Sequence, residues 1–359
     1  MKSLYFIIYD MSEMGGIQGV IVKMANALAD RGYDVHIVSM VLRETIPWHL
    51  SPQVEVHNIN RSDDSYNRAL ITGFPELRSF FRGRKADVVF LMGHYASKYI
   101  LCPRYTKARL IFCDHGALAN QLDNRRVTML RYLSTRFADH IVTLTERTLR
   151  DYREKWHIPA DRIECIPNWM EEPEEQPQPY DIRSRKIVTV GRFTPEKGFD
   201  RVVRIAEKVF HRHPDWEWHA IGDGECREEI QQEAQRRGIG NQLLFPGQVN
   251  DMPQRYPHYA MYVLPSYREG LPLVLLEAKQ HHLPMVSFDC LTGPSEIITD
   301  GKDGLLIPNG DEEAMAQAVC RLIESEETRQ AMAEYQGDKI GRFRREAVLE
   351  QWIRLIEKC

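Results

Sequence analysis

The sequence predicts an α/β protein of two Rossmann-like domains, each a parallel sheet flanked by helices. Three observations carry that reading. At roughly 150 residues per domain, the length of 359 residues gives about two domains, short apolar runs alternate with helical repeats, and one proline-rich interruption divides them.

Composition narrows the class further. Apolar residues at 43% and charged residues at 27% sit close to globular averages, which argues against disordered, collagen-like and coiled-coil chains. The longest apolar runs, such as Leu4 to Tyr9, fall far short of the roughly 18 residues of a membrane-spanning helix. That run begins just after Lys2 with no small-residue cleavage site, so no signal peptide is expected. Seven scattered cysteines without a C-x-x-C pair predict a reducing, cytoplasmic setting and no structural zinc. The net charge of -4 carries no nucleic-acid signature, but it is uneven. Residues 1–170 hold 23 Lys and Arg against 18 Asp and Glu, and the remainder holds 24 against 33, so the first half is the basic one.

Taken in order, Leu4 to Tyr9 reads as a strand buried on both faces, followed by the loop Asp10 to Gly16. Ile17, Val20, Ile21, Met24, Ala25 and Leu28 then recur at helical spacing until Gly32, and Val35 to Met40 completes a βαβ unit. Val88 to Met92, Leu110 to Cys113 and His140 to Leu144 are further buried strands. The stretch 171–185 has three prolines and almost nothing apolar, and reads as an exposed linker between a domain of residues 1–170 and one of residues 186–342. In the second domain Ile187 to Val190, Trp216 to Ile221, Leu243 to Phe245, Met261 to Leu264 and Met285 to Phe288 are strands, with an amphipathic helix from Phe199 to Phe210. Ligands of such sheets bind beyond the carboxyl ends of the strands, which directs attention to the loops there.

Three of those loops carry chemistry. Glu269-Gly270-Leu271-Pro272 leads into a helix holding Glu277, with Pro272 suited to its first turn because its missing N–H would be unpaired there anyway. Eight residues at 1.5 Å rise span at most about 12 Å, comparable to the distance from sugar to ribose in a sugar nucleotide. The helix N-terminus between the two carboxylates suits a diphosphate, and each carboxylate can accept hydrogen bonds from hydroxyls. The same spacing also fits two surface glutamates. In Gly191 to Gly198, the terminal glycines permit a tight loop whose Arg192 and Lys197 can offset diphosphate charge, or can be solvated cations. Gly15-Gly16 lets backbone N–H groups approach an anion, but Gly15, Gly16 and Gly19 do not spell G-x-G-x-x-G and no acid closes the second strand, so an NAD site is not expected. His115, after Cys113-Asp114, sits at another strand end and reads either as a cleft-facing group or as a structural histidine.

These residues together resemble the ordered signature of family-4 glycosyltransferases of GT-B fold: Gly15-Gly16, His115, the Gly191 to Gly198 loop, Gly222-Asp223-Gly224, Gly247-Gln248-Val249 and Glu269 to Glu277. Asp289 to Ile298 and Asp300 to Gly304 are similar to members that build bacterial surface polysaccharides. The resemblance implies two domains facing each other across a cleft, with the nucleotide sugar on the second and the acceptor on the first. It implies Arg192 and Lys197 at the diphosphate, Glu269 at the donor sugar, Glu277 at the ribose, with Gly270, Leu271 and Pro272 between them. It further implies His115 at the transferred sugar, Gly16 with Gly15 near the diphosphate, and Val249 by the base. Where many relatives carry Ala-Glu-Arg after the glycine pair, this chain has Ile17-Gln18-Gly19.

By the same resemblance the last helix, within 343–359, crosses back to the first domain, where its apolar positions from Val348 to Ile356 fit a buried stripe. The expected activity is retaining transfer of a hexose from a nucleotide sugar, of UDP type, to a glycan or lipid-linked glycan in polysaccharide or lipopolysaccharide assembly. A sugar-nucleotide epimerase or hydrolase and a non-catalytic sugar-nucleotide-binding subunit are the alternatives. No cofactor beyond the donor and no metal are expected, since no isolated Asp-x-Asp closes a strand and two cations can supply the charge. The basic sets Arg125, Arg126, Arg131, Arg136 and Arg78, Arg82, Arg84, Lys85 suggest an anionic membrane surface or lipid-linked acceptor as partner. Acceptor choice is expected to lie in the loops 43–52, 61–74 and 93–98, where His94 and Tyr95 are strand-end candidates.

Overall fold

A computed structural model of the chain describes residues 1–13, 15–41, 45–59, 66–96, 107–170, 179–335, 337 and 339–358. It divides into two units, Met1–Asn168 with Glu346–Cys359, and Trp169–Arg345.

The first unit is built on seven parallel strands: β1 (Ser3–Asp10), β2 (Asp34–Val41), β3 (Val54–Asn58), β4 (Val88–Met92), β5 (Arg109–Asp114), β6 (His140–Thr143) and β7 (Ile163–Cys165). Their order is β3-β2-β1-β4-β5-β6-β7, so the winding reverses between β1 and β4. β4 is buried along its whole length and β1 nearly so, which is why both are continuous apolar runs in the sequence. No apolar run announces β3 and β7, which are edge strands, half exposed and three to five residues long.

The final helix, Arg345–Lys358, belongs to this unit. It buries Val348, Leu349, Trp352, Leu355 and Ile356, and the Trp352 ring meets Phe90 edge-on at 5.8 Å while Phe90 stacks on Phe6 at 4.7 Å. Lys2 Nζ donates to the Ile356 carbonyl at 2.8 Å, which ties the helix end to the start of the chain.

The second unit has six parallel strands, β8 (Lys186–Val190), β9 (Glu217–Ile221), β10 (Leu243–Gly247), β11 (Met261–Leu264), β12 (Met285–Asp289) and β13 (Gly304–Pro308), in the order β10-β9-β8-β11-β12-β13. Here the reversal falls between β8 and β11. The helix Phe199–Arg212 packs its apolar stripe on this sheet, with Phe193 stacked on Phe199 at 3.7 Å.

The stretch expected as an exposed linker differs over its later part. Tyr180 donates to the Ala260 carbonyl at 2.7 Å, Ser184 to the His258 carbonyl at 2.6 Å, and Arg329 to the Ile182 carbonyl at 3.0 Å. A polar segment is docked here through hydrogen bonds, which an apolar pattern cannot reveal. Residues 171–178 lie outside the described residues. Among the described residues, no helix is long and apolar enough to cross a membrane.

Candidate active site

The second unit brings its predicted loops together at the switch point. The loop after β8 makes one tight turn at Pro195–Lys197 and closes on Gly198, whose φ of 70° places it against the backbone after β11. A β-carbon at Gly198 would collide with the Pro265 carbonyl oxygen, so only glycine allows this approach. Lys197 is thereby carried to Glu269, with Nζ donating to Oε1 at 2.8 Å and Oε2 at 2.9 Å. Ser266 Oγ donates to Oε1 at 2.7 Å, and Thr292 Oγ1 donates to the Glu269 carbonyl at 2.5 Å. Glu269 is 7% exposed, so the carboxylate is buried, oriented and neutralised by one cation. Arg192, on the same loop as Lys197, is exposed and has no ion pair among the described residues. An ammonium group has three N–H donors, so Lys197 keeps one beyond those given to Glu269.

Pro272 does not occupy the first turn of the following helix. It is the N-cap residue of Leu273–Gln280, with extended φ, ψ of -73° and 103°, and the turn Gly270-Leu271-Pro272 precedes it. No side chain caps this helix, leaving its first N–H groups for an anion. Glu277 is exposed on the second turn and accepts a hydrogen bond from Tyr256 Oη at 2.8 Å. Burial pushes the Tyr256 phenol well above its ordinary range, so it remains the donor at neutral pH. Behind the turn, Gly293 has φ of 99°, and a β-carbon there would lie 2.5 Å from the Gly270 carbonyl oxygen. Val249 follows β10 half-buried, and Gly222-Asp223-Gly224 runs after β9 toward the helix Arg227–Arg236, where β-carbons on the two glycines would collide with the Gly191 and Phe193 backbone.

Sequence reasoning missed several supports of this site. Arg201, buried on its helix, donates to the Pro265, Ser266 and Asn309 oxygens at 3.0 to 3.3 Å and lies 3.5 Å over the Tyr267 ring. Helical arginines are ordinarily solvated, so nothing in the pattern singles it out. Ser266 and Tyr256 carry equally little local signal.

In the first unit Gly15 is the N-cap of the helix Gly16–Asp30, again without a side-chain cap. The Ile17-Gln18-Gly19 departure has a structural role here. Gln18 is buried and donates to the Asp10 carbonyl at 2.9 Å, while a β-carbon on Gly19 would press on the Trp48 ring at 3.2 Å.

His115 follows β5 directly after a buried charge network. Asp114 is fully buried and ion-paired with Arg131 at 2.9 Å, and accepts from Tyr152 Oη at 2.8 Å and the Gly116 N–H at 3.0 Å. Burial alone would raise the Asp114 carboxyl, but Arg131 and these hydrogen bonds hold it below its ordinary range. The His115 Nε2 is shut from solvent without a partner among the described residues, and burial lowers the ring to about 4. The imidazole is therefore neutral at physiological pH. An NMR titration should place the His115 midpoint near 4, and a midpoint near that of a solvated histidine would contradict this placement. Because the unfolded ring binds its proton first, stability should be complete above about 6.5 and fall by about 3 kcal/mol as pH drops toward 4.

The candidates His94 and Tyr95 lie in the short helix Gly93–Ala96, and their side chains are outside the described residues. So are residues 42–44, 60–65 and 97–106, which take in much of the expected acceptor loops.

The two doubly wound units define the class, a GT-B protein. Anabaena HepE in complex with UDP and glucose superimposes with a TM-score of 0.81 at 17% identity, covering 100% of both chains. The chain is a family-4-like GT-B glycosyltransferase: the model of Glycosyltransferase Family 4 matches residues 14–172, and that of Glycosyl transferases group 1 matches residues 171–338. The Erwinia amylovora amylovoran biosynthesis glycosyltransferase AmsD is 26% identical, covering 98% of this chain and 99% of its own. A Campylobacter jejuni alpha-1,4-N-acetyl-D-galactosaminyltransferase, whose name carries a PP-undecaprenol glycan, is 24% identical, covering 99% of this chain and 98% of its own.

Proposed function

We propose that this glycosyltransferase moves a hexose from a UDP-type nucleotide sugar, with retention of configuration, onto a glycan or lipid-linked glycan in polysaccharide or lipopolysaccharide assembly. The observation that carries the reading is the Lys197–Glu269 pair between the β8 and β11 loops, with its carboxylate buried and its ammonium half-buried, beside the uncapped helix N-terminus and the exposed Arg192. The diphosphate takes the helix N–H groups, Arg192 and the remaining Lys197 donor. Glu269 accepts from sugar hydroxyls, Glu277 from the ribose, and Val249 borders the base. His115 offers an uncharged imidazole to the transferred sugar, and Gly15 and Gly16 let backbone approach the diphosphate. The acceptor oxygen bonds to the anomeric carbon as its bond to the diphosphate breaks. The acceptor proton passes to the departing phosphate oxygen on the same face. Two cations supply the charge stabilisation that a divalent metal otherwise would, so no metal takes part in the transfer.

The names of AmsD and of the Campylobacter enzyme support a surface-glycan acceptor, and the UDP and glucose bound to HepE support the donor type. A panel of nucleotide sugars, with and without membrane extract and with EDTA, tests the reading. Turnover should require acceptor and survive EDTA. Donor conversion without acceptor would favour an epimerase or hydrolase, and a thermal shift without turnover would favour a binding subunit.

Membrane contact is part of the proposal, with one correction. Arg131 is buried in the Asp114 network and is no surface cation. The helix Arg125–Phe137 instead exposes Arg125, Arg126 and Arg136, and Met129, Tyr132 and the neighbouring Leu122 are 44 to 55% exposed. Cations beside exposed apolar side chains suit the interface of an anionic bilayer, and Arg78, Arg82, Arg84 and Lys85 are exposed as well. Each cation near the surface contributes about 1 kcal/mol, so charge reversal at Arg125 and Arg126 should weaken vesicle binding by roughly 10-fold or more. Sedimentation with anionic vesicles at low and high salt reads this, and no binding at either salt would remove it.

A further inference from the structure

We propose that the first unit carries a zinc-type divalent metal site on β2 and β3, ligated by His36 Nδ1, Glu55 and His57 Nε2. The two strands bear matching triplets, Asp34-Val35-His36 and Glu55-Val56-His57. The two-residue period of a strand places the acid and the histidine of each triplet on one face. The parallel register sets His36 beside Glu55 and Val38 beside His57, which brings both sets to the same face.

The ligand atoms have the spacing of a coordination face. His36 Nδ1 lies 3.1 Å from His57 Nε2 and 3.3 Å from Glu55 Oε2, and the third side, from His57 Nε2 to Glu55 Oε2, is 3.5 Å. A tetrahedral ion with bonds of about 2.0–2.2 Å separates its ligand atoms by roughly 3.2–3.6 Å. His36 Nε2 is 3.2 Å from Asp34 Oδ2, so that carboxylate takes the ring N–H and leaves the Nδ1 lone pair facing the other two ligands. Asp34 is itself held by Ser3 Oγ at 2.7 Å, and the His36 ring stacks on Tyr5 at 4.4 Å. The outer support of a metal-bound histidine is therefore already built.

Charge and access agree. Asp34 and Glu55 bring two negative charges and Arg84, over the Phe80 ring at 4.4 Å, brings one positive, leaving an excess that favours a dication. The side chains of His36 and His57 are 8% and 19% exposed, while that of Glu55 is 65% exposed, so the ion enters from the Glu55 side. Two imidazoles with one carboxylate select zinc or a neighbouring transition metal over magnesium or calcium. The sequence expectation of no structural zinc rests on cysteine spacing and does not reach a site of imidazole and carboxylate. The ligands join the edge strand β3 to β2, so the bound ion pins that edge. Gly16 and His115 follow the carboxyl ends of β1 and β5, away from the strand bodies that carry these ligands.

Titrating the metal-stripped full chain with Zn2+ against a chromophoric chelator, and separately with Co2+, tests the site. The expected result is about one equivalent bound, a thermal shift reversed by EDTA and restored by Zn2+, and visible Co2+ bands of a low-coordinate centre. Glu55→Gln and His57→Gln should each abolish or strongly weaken binding, and Asp34→Asn should weaken it by about 10- to 100-fold. Should His57→Gln fail to fold, Glu55→Gln still decides the question, because Glu55 is exposed and its substitution disturbs no core packing. Absence of Zn2+ binding to the folded chain, or binding unchanged by Glu55→Gln and Asp34→Asn, would show that the two histidines only share a proton and would overturn the site.

Discussion

Glu269→Ala should lower kcat far more than it raises the donor KM, while Glu277→Ala should do the reverse. Glu269 is buried, with both carboxylate oxygens on Lys197 and one on Ser266, so in its proposed role it would present a fixed charge where positive charge develops at the anomeric carbon. An interaction that strengthens only in the transition state appears in kcat. Glu277 is exposed and accepts from Tyr256, and in its proposed role a contact with the ribose would be equal in ground and transition states. Each lost charged hydrogen bond corresponds to about 1.5 to 3 kcal/mol, or roughly 10- to 150-fold. Glu269→Gln separates the roles further, since an amide still accepts from Ser266 but no longer neutralises Lys197. Kinetics in which both alanine variants change only KM would remove Glu269 from the reacting centre. A product of inverted configuration would remove the mechanism.

Arg131→Ala should be the most destabilising single change in the first unit. It strands Asp114, which is fully buried and held ionised by Arg131, Tyr152 and the Gly116 N–H. Removing one partner of a buried pair costs about 3–5 kcal/mol, which for a unit of this size lowers the melting temperature by roughly 10 °C. The pH dependence has a definite sign. The folded Asp114 carboxyl titrates below its unfolded value, so its stabilisation is complete above about pH 4 and is lost only as pH falls through the folded value. Double substitution of Arg131 and Asp114 by apolar residues should recover much of the loss. A melting temperature within error of the parent for Arg131→Ala would show that the network is not closed as described. The same variant separates fold from surface, because Arg131→Ala should leave the salt dependence of vesicle binding unchanged where Arg125 and Arg126 substitutions alter it.

Burial governs which elements are legible in the sequence. β1, β2, β4 and β5 are readable because strands covered on both faces are predominantly apolar. β3, β7 and β13 are not, since each is an edge strand of a sheet and partly exposed. The docked segment from Tyr180 to Ser184 misleads for the complementary reason. Its hydrogen bonds run to partners some 70 to 150 residues away in the chain, and composition carries no trace of them.

The sequence by itself determines two α/β domains and the loops after strands that carry Gly16, His115, Arg192, Lys197 and Glu269, with Glu277 on the helix that follows the last of them. Those follow from local rules: apolar period selects the element, and glycine marks where backbone must turn. Only the tertiary structure decides which charges are spent on one another. Lys197 is committed to Glu269 and Arg131 to Asp114, while Arg192 and Arg125 stay exposed, although all four look alike as basic residues in the sequence. The reason is that pairing depends on Coulomb interactions over a few ångströms between residues distant in the chain, and on a burial that makes an unpaired charge too costly to keep. The same applies to His36, Glu55 and His57, which strand register alone places within reach of one ion.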